Sequence, residues 1–487
     1  MEKVSTDTSN KSSDGFAAML EQAVQQMLRS RVGAIEAPAG TGKTEQIALV
    51  GGNVPGRWLI LTHTVAGVDA IRRRLAKHNV PAEKAQVETL SAWAHRWARA
   101  FPKGSGLAAD WSARSRQWDA VMVAATTLVE SGAVQSILSA SYSGVLVDEY
   151  QDCTVAQHGL VRALSRRLPC YIFGDPLQAI FGFRPGMLAN WHKDTLAAFP
   201  QAGVLNTPQR WIRAGNAPLG AWLIGQRANF EAGIFDFRSA PSCLEWQPCA
   251  PKLAAQQLAG SCSIRPPEGE TLAIIHSSVD EVRRADLAKA IGATTVEPIG
   301  GKTERNFYES LRTQTGIDRV SAVLDLMGTA YVGVGASNKR KRVESLLANP
   351  TRIKMPATPA ELALTGVAAS DSLANVLDVI RCVESETGVT AVRPELVSCI
   401  KSALQLCAEN PALQLDDAAF QVANARREKG RVLRNRAVGS TLLMKGLEFD
   451  HVVITPDACE NRHHWYVALT RGTRSVRVLA PSVSFSA

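Results

Sequence analysis

The sequence predicts an α/β fold built on parallel strands, and three observations predict it. Arg31-Val32-Gly33-Ala34-Ile35-Glu36 is a short β-branched and apolar run that leads into the turn Ala37-Pro38-Ala39-Gly40-Thr41-Gly42-Lys43-Thr44, and Glu45 to Val50 begins a helix. Apolar strands recur, at Trp58–Thr62, Val87–Ser91, Gly144–Glu149, Cys170–Phe173, Thr271–His276 and Val452–Ile454, and helical stretches follow the first, second and fifth of them. Polar groups stand at the carboxyl ends of these strands, Thr62-His63-Thr64 after one and Asp148-Glu149 after another. That is where open parallel sheets collect their ligands.

The turn carries the chemistry. It fits G-x-x-x-x-G-K-[ST], with Ala37 in place of the first glycine. Strand, glycine turn and helix N-terminus together make an anion site, because backbone N–H groups converge and the helix dipole favours negative charge. Ala39, Gly40, Thr41, Gly42, Lys43 and Thr44 would cradle the phosphates. Lys43 would reach the β- and γ-phosphates and the Thr44 hydroxyl would hold Mg²⁺. The chain is expected to bind a nucleoside triphosphate.

Length and composition bound the rest. The chain has 487 residues, so about three domains are expected. Hydrophobic residues at 46% and charged residues at 20% are ordinary for a globular protein. A formal charge of +9 and a pI near 9.1 suit a polyanionic partner. No apolar run is long enough to span a bilayer. Residues 1–14 are polar and read as a disordered leader. The nine cysteines are scattered without close pairs, which suggests reduced thiols in the cytoplasm. Cys459, His463 and His464 lie close together but offer no clear fourth ligand, so a metal site is not read there.

Along the first half, residues 15–30 have apolar positions at helical spacing. Gln22 in this stretch offers the donor and acceptor that reading an adenine edge requires. Thr62 and Thr64, and Thr89 after the weaker strand at Val87, could meet nucleic-acid phosphates. Arg72, Arg73 and Arg74 fit either such contacts or a solvated helix face. Residues 95–142 are helical in texture, with Trp111 and Trp118 as core residues. Asp148 would hold Mg²⁺ and Glu149 would polarise the attacking water. In Gly174-Asp175-Pro176-Leu177-Gln178-Ala179-Ile180-Phe181-Gly182-Phe183-Arg184, Gln178 can sense a γ-phosphate. Phe181, Phe183 and Arg184 supply the planes on which unpaired bases stack.

The ordered set APAGTGKT, THT, VDEYQD and GDPLQAIFGFR resembles the UvrD/Rep-type superfamily 1 DNA helicases. The resemblance implies two RecA-like P-loop motor domains that hold ATP between them and walk on single-stranded DNA from 3′ to 5′. Gln22 falls at the spacing of the family's adenine-reading glutamine. Leu205-Asn206-Thr207-Pro208-Gln209-Arg210 resembles the fourth motif, with Arg210 as a γ-phosphate arginine. The family's base-stacking tyrosine is Gln209 here, leaving Trp211 as an aromatic substitute. Met444-Lys445-Gly446-Leu447-Glu448-Phe449 resembles the fifth motif, with Gly446 and Glu448 at the nucleotide. Its upstream histidine and serine are Leu442 and Leu443 here, so Ser440 and Thr441 remain as DNA contacts. Tyr466–Gly472 resembles the sixth motif, with Arg471 as the arginine finger.

The resemblance implies this organisation: motor domain 1A over 15–197 with a short 1B insertion at about 95–142; motor domain 2A over 198–300 and 433–487; and a mainly helical 2B-like accessory domain over 301–432. Two basic clusters, Lys339–Arg342 and the arginines and lysine from Arg426 to Arg436, fit either duplex phosphates or a solvated helix face. The implied activity is ATP hydrolysis with Mg²⁺, coupled to movement on single-stranded DNA and single-strand/duplex junctions. An alternative is a DNA-sensing ATPase subunit serving a partner nuclease, with little unwinding of its own. The compact form is similar to UvrD-like subunits of anti-phage systems such as Gabija. No nuclease-type acidic cluster is read in the chain, and no membrane association is expected.

Overall fold

The computed structural model of the chain describes residues 20–112, 117–182, 187–348, 355–429 and 434–487. They pack as two compact units. One takes the described residues to Ile234 together with Arg462–Thr470, and the other takes Phe235–Asn461 with Arg471–Ala487.

The first unit is built on β1 (Val32–Glu36), β2 (Trp58–Thr62), β3 (Ala85–Thr89), β4 (Gly144–Val147), β5 (Cys170–Gly174) and β6 (Gln201–Val204). Their order is β3-β2-β4-β5-β1-β6, with every pairing parallel. Alternate residues feed two separate cores, as the two-residue period of a strand dictates. Leu59, Leu61, Val145 and Val147 join Trp93, Trp97 and Leu128, while Ile60 and Leu146 join Ile47, Leu49 and Phe173. Each such side chain contributes roughly 1.5–3 kcal/mol by leaving water. The helices Leu90–Ala100, Trp118–Glu130 and Gln135–Ser141 fill the first of these cores. Trp111 and Trp118 are partly buried against it and meet edge to face, with centroids 5.0 Å apart.

Three local readings change in the structure. In the periodic stretch at 15–30, residues 15–19 lie outside the described residues and the rest yields the helix Gln22–Met27, after which Ser30 Oγ donates to the Met27 carbonyl. Gln201–Val204, expected with the second motor domain, pairs with β1 in the first sheet. Of the arginines after β2, Arg72 bonds the Val87 carbonyl and Arg74 pairs with Glu45.

The second unit is built on β7 (Leu244–Pro248), β8 (Leu272–Ile275), β9 (Thr294–Thr295), β10 (Arg436–Gly439), β11 (Phe449–Ile454) and β12 (Gly472–Ala480). The order β9-β10-β8-β11-β12-β7 is again parallel throughout. Between β9 and β10 the chain leaves the sheet as a series of helices, from Lys302–Thr313 to Leu415–Lys429, with their own apolar core around Val320, Leu324, Ile380 and Ile400. The architecture is therefore two RecA-like α/β sheets with a mainly helical insertion. In the first basic cluster, Lys339 pairs with Glu386, Arg340 with Asp325 and Arg342 with Glu361. In the second, Arg426 pairs with Glu395, and Arg431 lies outside the described residues. Among the described residues no single helix is long and apolar enough to cross a membrane.

Candidate nucleotide-binding and catalytic site

The strand order decides what meets. β1 lies beside β5, and β5 beside β4, so the segments that follow these three strands emerge side by side at one edge of the first sheet. After β1 the chain turns through Gly40 (φ +72°) and Gly42 (φ +89°) before the helix Lys43–Asn53 begins. Left-handed backbone favours glycine, and space demands it at Gly40, where a Cβ would lie 2.6 Å from the Trp211 ring. The loop is anchored at both ends. Ala37 N donates to the Gly174 carbonyl at 2.7 Å, and Arg210 N donates to the Gly40 carbonyl at 2.9 Å. Ala39 N donates to Asp175 Oδ2 at 3.0 Å and to Tyr466 Oη at 3.1 Å. Thr41 Oγ1 bonds the Pro38 carbonyl, and Thr44 is half-buried in the first turn of the helix.

Lys43 reaches from the helix start to the end of β4. Its Nζ lies 3.2 Å from Asp148 Oδ1 and 2.7 Å from Glu149 Oε2. Burial disfavours the ammonium, but the two carboxylates outweigh it and raise the Lys43 pKa. Burial pushes the Asp148 carboxyl up, an effect that Lys43 opposes and Glu149 reinforces. Glu149 has a left-handed backbone (φ +55°), uncommon for a side chain of this kind, and its N–H bonds Asp148 Oδ1 at 2.9 Å. Gln151 then links the two acidic turns. Its Nε2 donates to Glu149 Oε2 at 2.6 Å, while its Oε1 accepts from Asp175 N at 3.0 Å. Gln178 is buried and donates to Asp175 Oδ2 at 2.9 Å. Lys43, Asp148, Glu149 and Gln178 are thus joined to the loop by one chain of polar contacts, buried at Asp148, Gln151, Asp175 and Gln178 and half-exposed at Glu149.

Sequence reasoning missed the hub on the far side of Asp175. Arg227 Nη1 donates to Asp175 Oδ1 at 3.0 Å and to Tyr466 Oη at 2.9 Å, and Nη2 makes a short bond to Glu36 Oε1. Burial works against the guanidinium charge, and Asp175, Tyr466 and Glu36 override it to raise the Arg227 pKa. Burial also pushes the Glu36 carboxyl up, with Arg227 acting against it. Asp175 and Tyr466 stand inside motifs, where their presence was a signal. Arg227 stands in none.

Other predicted residues are placed as follows. Arg210 is half-buried in the same unit and donates to the Thr470 carbonyl at 2.7 Å. Trp211 is fully buried against Gly40, so its ring supports the loop and is not presented for stacking on a base. Gln22 is exposed at the start of its helix. Thr62, expected to face DNA, is buried beside Gly67, where helix packing takes its side chain. Thr64 and Thr89 cap helices by accepting from Gly67 N and Ala92 N, with Thr64 exposed and Thr89 half-buried. Phe181 is half-buried; Phe183 and Arg184 lie outside the described residues.

In the second unit, Arg471 is buried and donates to the Leu447 carbonyl at 3.2 Å. Gly446 (φ +81°) and Glu448 are exposed in the same turn. Ser440 and Thr441, expected at DNA, are both buried. Ser440 caps the helix Thr441–Met444, and Thr441 Oγ1 bonds the Ala458 carbonyl at 3.2 Å. Their hydroxyls are satisfied inside the protein, which is why they do not form a polar surface.

The donor set fits Mg²⁺. A hydroxyl at Thr44 and a carboxylate at Asp148 are the hard oxygen ligands this ion takes, usually with phosphate and water completing the shell. Among the described residues no group of three or more His, Cys, Asp or Glu is arranged to hold a metal by itself, and this includes the Cys459, His463 and His464 stretch. All nine cysteines are free.

Residues 114–196 match the family model of the UvrD/REP helicase N-terminal domain, a span that contains both acidic turns. That match shows the likeness to UvrD/Rep-type superfamily 1 helicases in this part of the chain and supports a helicase role. No curated protein matches the chain. Among solved structures, the Pif1 helicase from Candida albicans is similar at 12% identity and a TM-score of 0.40, covering 99% of this chain and 96% of that one. An arterivirus nonstructural protein 10 (helicase) is similar at 10% identity and a TM-score of 0.31, covering 94% and 62%. The fold rests on the sheet topology above.

Proposed function

We propose that the chain is an ATP-dependent single-stranded DNA translocase or helicase that moves from 3′ to 5′. The observation that carries this reading is Lys43 buried between Asp148 and Glu149, beside a glycine loop of phosphate-binding form. The β- and γ-phosphates of ATP offer Lys43 the same negative charge, so nucleotide binding would draw it from the carboxylates and release Glu149. The attacking water's oxygen then bonds the γ-phosphorus, the bond to the bridging oxygen of ADP breaks, and the water's proton passes to Glu149. Gln178 reads the γ-phosphate, and Arg210 and Arg471 are the arginines assigned to its developing charge. Thr44 and Asp148 would hold Mg²⁺, which neutralises phosphate charge when bound. Gln22, Gly446 and Glu448 are assigned to the base and sugar. Phe181, Phe183 and Arg184 are assigned to base stacking, and Thr64 and Thr89 to the DNA backbone. The partners are single-stranded DNA and single-strand/duplex junctions, and the free thiols suit the reducing cytoplasm.

Streptavidin displacement from single strands biotinylated at one end tests movement and direction together. Displacement from the 5′ end, dependent on ATP, is expected; displacement from the 3′ end alone would reverse the polarity, and none from either end would remove the translocase. A second reading, a DNA-sensing ATPase that serves a partner nuclease, draws support from the burial of Ser440 and Thr441 and from the apolar Leu442 and Leu443 beside them. DNA-stimulated ATPase without unwinding of a forked duplex would favour it.

A further inference from the structure

Glu36, Asp175, Arg227 and Tyr466 converge behind the glycine loop of the first unit, each no more than 9% exposed. We propose that Arg227 is a positioning residue for ATP hydrolysis: by holding Asp175 it sets Gln178 and the Ala39 end of the loop against the γ-phosphate. The proposal rests on the ATPase reading above and deepens it. Both oxygens of the Asp175 carboxylate are in use. Oδ1 accepts from Arg227 Nη1 and from Leu177 N, while Oδ2 accepts from Gln178 Nε2 and Ala39 N. A carboxylate held on both oxygens cannot turn, so the guanidinium fixes where Oδ2 points and hence where Gln178 stands. A second route runs from the same Nη1 through Tyr466 Oη to the same Ala39 N–H. The other arm, Nη2, takes Glu36, the last residue of β1 before the loop.

A buried ion cluster that serves only stability has no need of such partners, since apolar packing of the same volume does as well or better. Here every partner of Nη1 and the buried partner of Nη2 adjoin the loop or hold the γ-phosphate glutamine. The planar fork matters too. A lysine is a single point charge and cannot hold Glu36 and Asp175 in one plane.

A double-mutant cycle on the full chain tests this, using Arg227→Lys, Gln178→Ala and the pair, with ATPase kinetics and melting temperature read on each. Arg227→Lys should lower kcat by about 10–100-fold through misplacement of Gln178. KM for ATP should move by less than about threefold, as for an interaction used in the transition state. In the Gln178→Ala background, Arg227→Lys should cost much less than it costs the parent, because only the route to Ala39 is then left for the arginine to act through. If Arg227→Lys melts far below the parent, Arg227→Met combined with Glu36→Gln removes one of the two carboxylates left without a cation, and the same cycle is run in that background. An unchanged kcat in Arg227→Lys, losses that multiply fully in the pair, or a kcat that recovers together with melting temperature would each overturn the role of Arg227. A parent that hydrolyses no ATP would instead overturn the ATPase reading, and this role with it.

Discussion

The two six-stranded sheets have the same parallel architecture and opposite chemistry at their carboxyl edges. The first ends in charge: Glu36, Asp148, Glu149 and Asp175, gathered around Lys43 and Arg227. The second ends in neutral groups after three of its strands, His276 and Ser277 after β8, Ser440 and Thr441 after β10, and Thr455 after β11. The charge that follows β9, Glu297, is already paired with Arg393. His276 Nδ1 shares a hydrogen bond of 2.7 Å with Thr455 Oγ1, and burial, helped by Arg283, lowers its pKa to about 4. One edge therefore stores charge that a phosphate can exchange with, whereas the other is satisfied within itself. The fold supplies the edge, and the side chains decide whether it does chemistry.

The comparison breaks most visibly if the charged edge is discharged. Lys43→Ala should lower ATP hydrolysis by about 10³-fold or more, since Asp148 and Glu149 lose their cation and the phosphates lose theirs. Steady-state phosphate release measures it. Glu149→Gln should retain ATP binding, read by a fluorescent nucleotide, and lose about 10²–10³-fold in turnover. A Glu149 variant that turns over like the parent would move the water-activating role elsewhere.

The neutral edge should respond to pH through stability. A histidine near 6.5 when unfolded and at about 4 when folded binds its proton first in the unfolded chain. Its contribution is therefore full above about pH 6.5 and falls away as pH drops toward about 4, by at most about 3 kcal/mol. His276→Gln should flatten that part of the melting profile relative to the parent. An identical acid slope in the two proteins would remove His276 from the account.

The smallest effects sharpen the contrast. Ser440→Ala and Thr64→Ala should each cost about 1 kcal/mol in stability, the usual loss of a helix cap. Thr64 is exposed beside the charged edge and Ser440 is buried in the neutral one. Only the Thr64 variant should weaken single-stranded DNA stimulation of the ATPase. Equal DNA responses in the two variants would dissolve the distinction.

Much of this was legible in the chain. The glycine turn, VDEYQD and GDPLQ name groups whose chemistry is local, and parallel strands bring their carboxyl ends together. The parallel α/β class follows from strand-then-helix alternation, and the presence of two such sheets from the resemblance that the ordered motifs carry. Arg227 was not legible, because a buried arginine in a short helix carries no motif and its meaning lies in contacts 52 and 191 residues away. The hydroxyls at Thr62, Ser440 and Thr441 misled for the converse reason. A threonine or serine after a strand looks the same whether its oxygen faces a ligand or a helix N-terminus, and burial alone separates the cases. Trp211 stood next to the expected stacking position, but the loop glycine needed a neighbour there.

The most direct test is ATP hydrolysis by the purified chain with and without single-stranded DNA, measured beside Glu149→Gln at low and high salt. The account predicts a parent rate that rises with single-stranded DNA more than with blunt duplex. The stimulation should weaken as salt releases the phosphate contacts, and Glu149→Gln should stay near background throughout. A parent rate indifferent to DNA and salt, matched by the Glu149 variant, would contradict it.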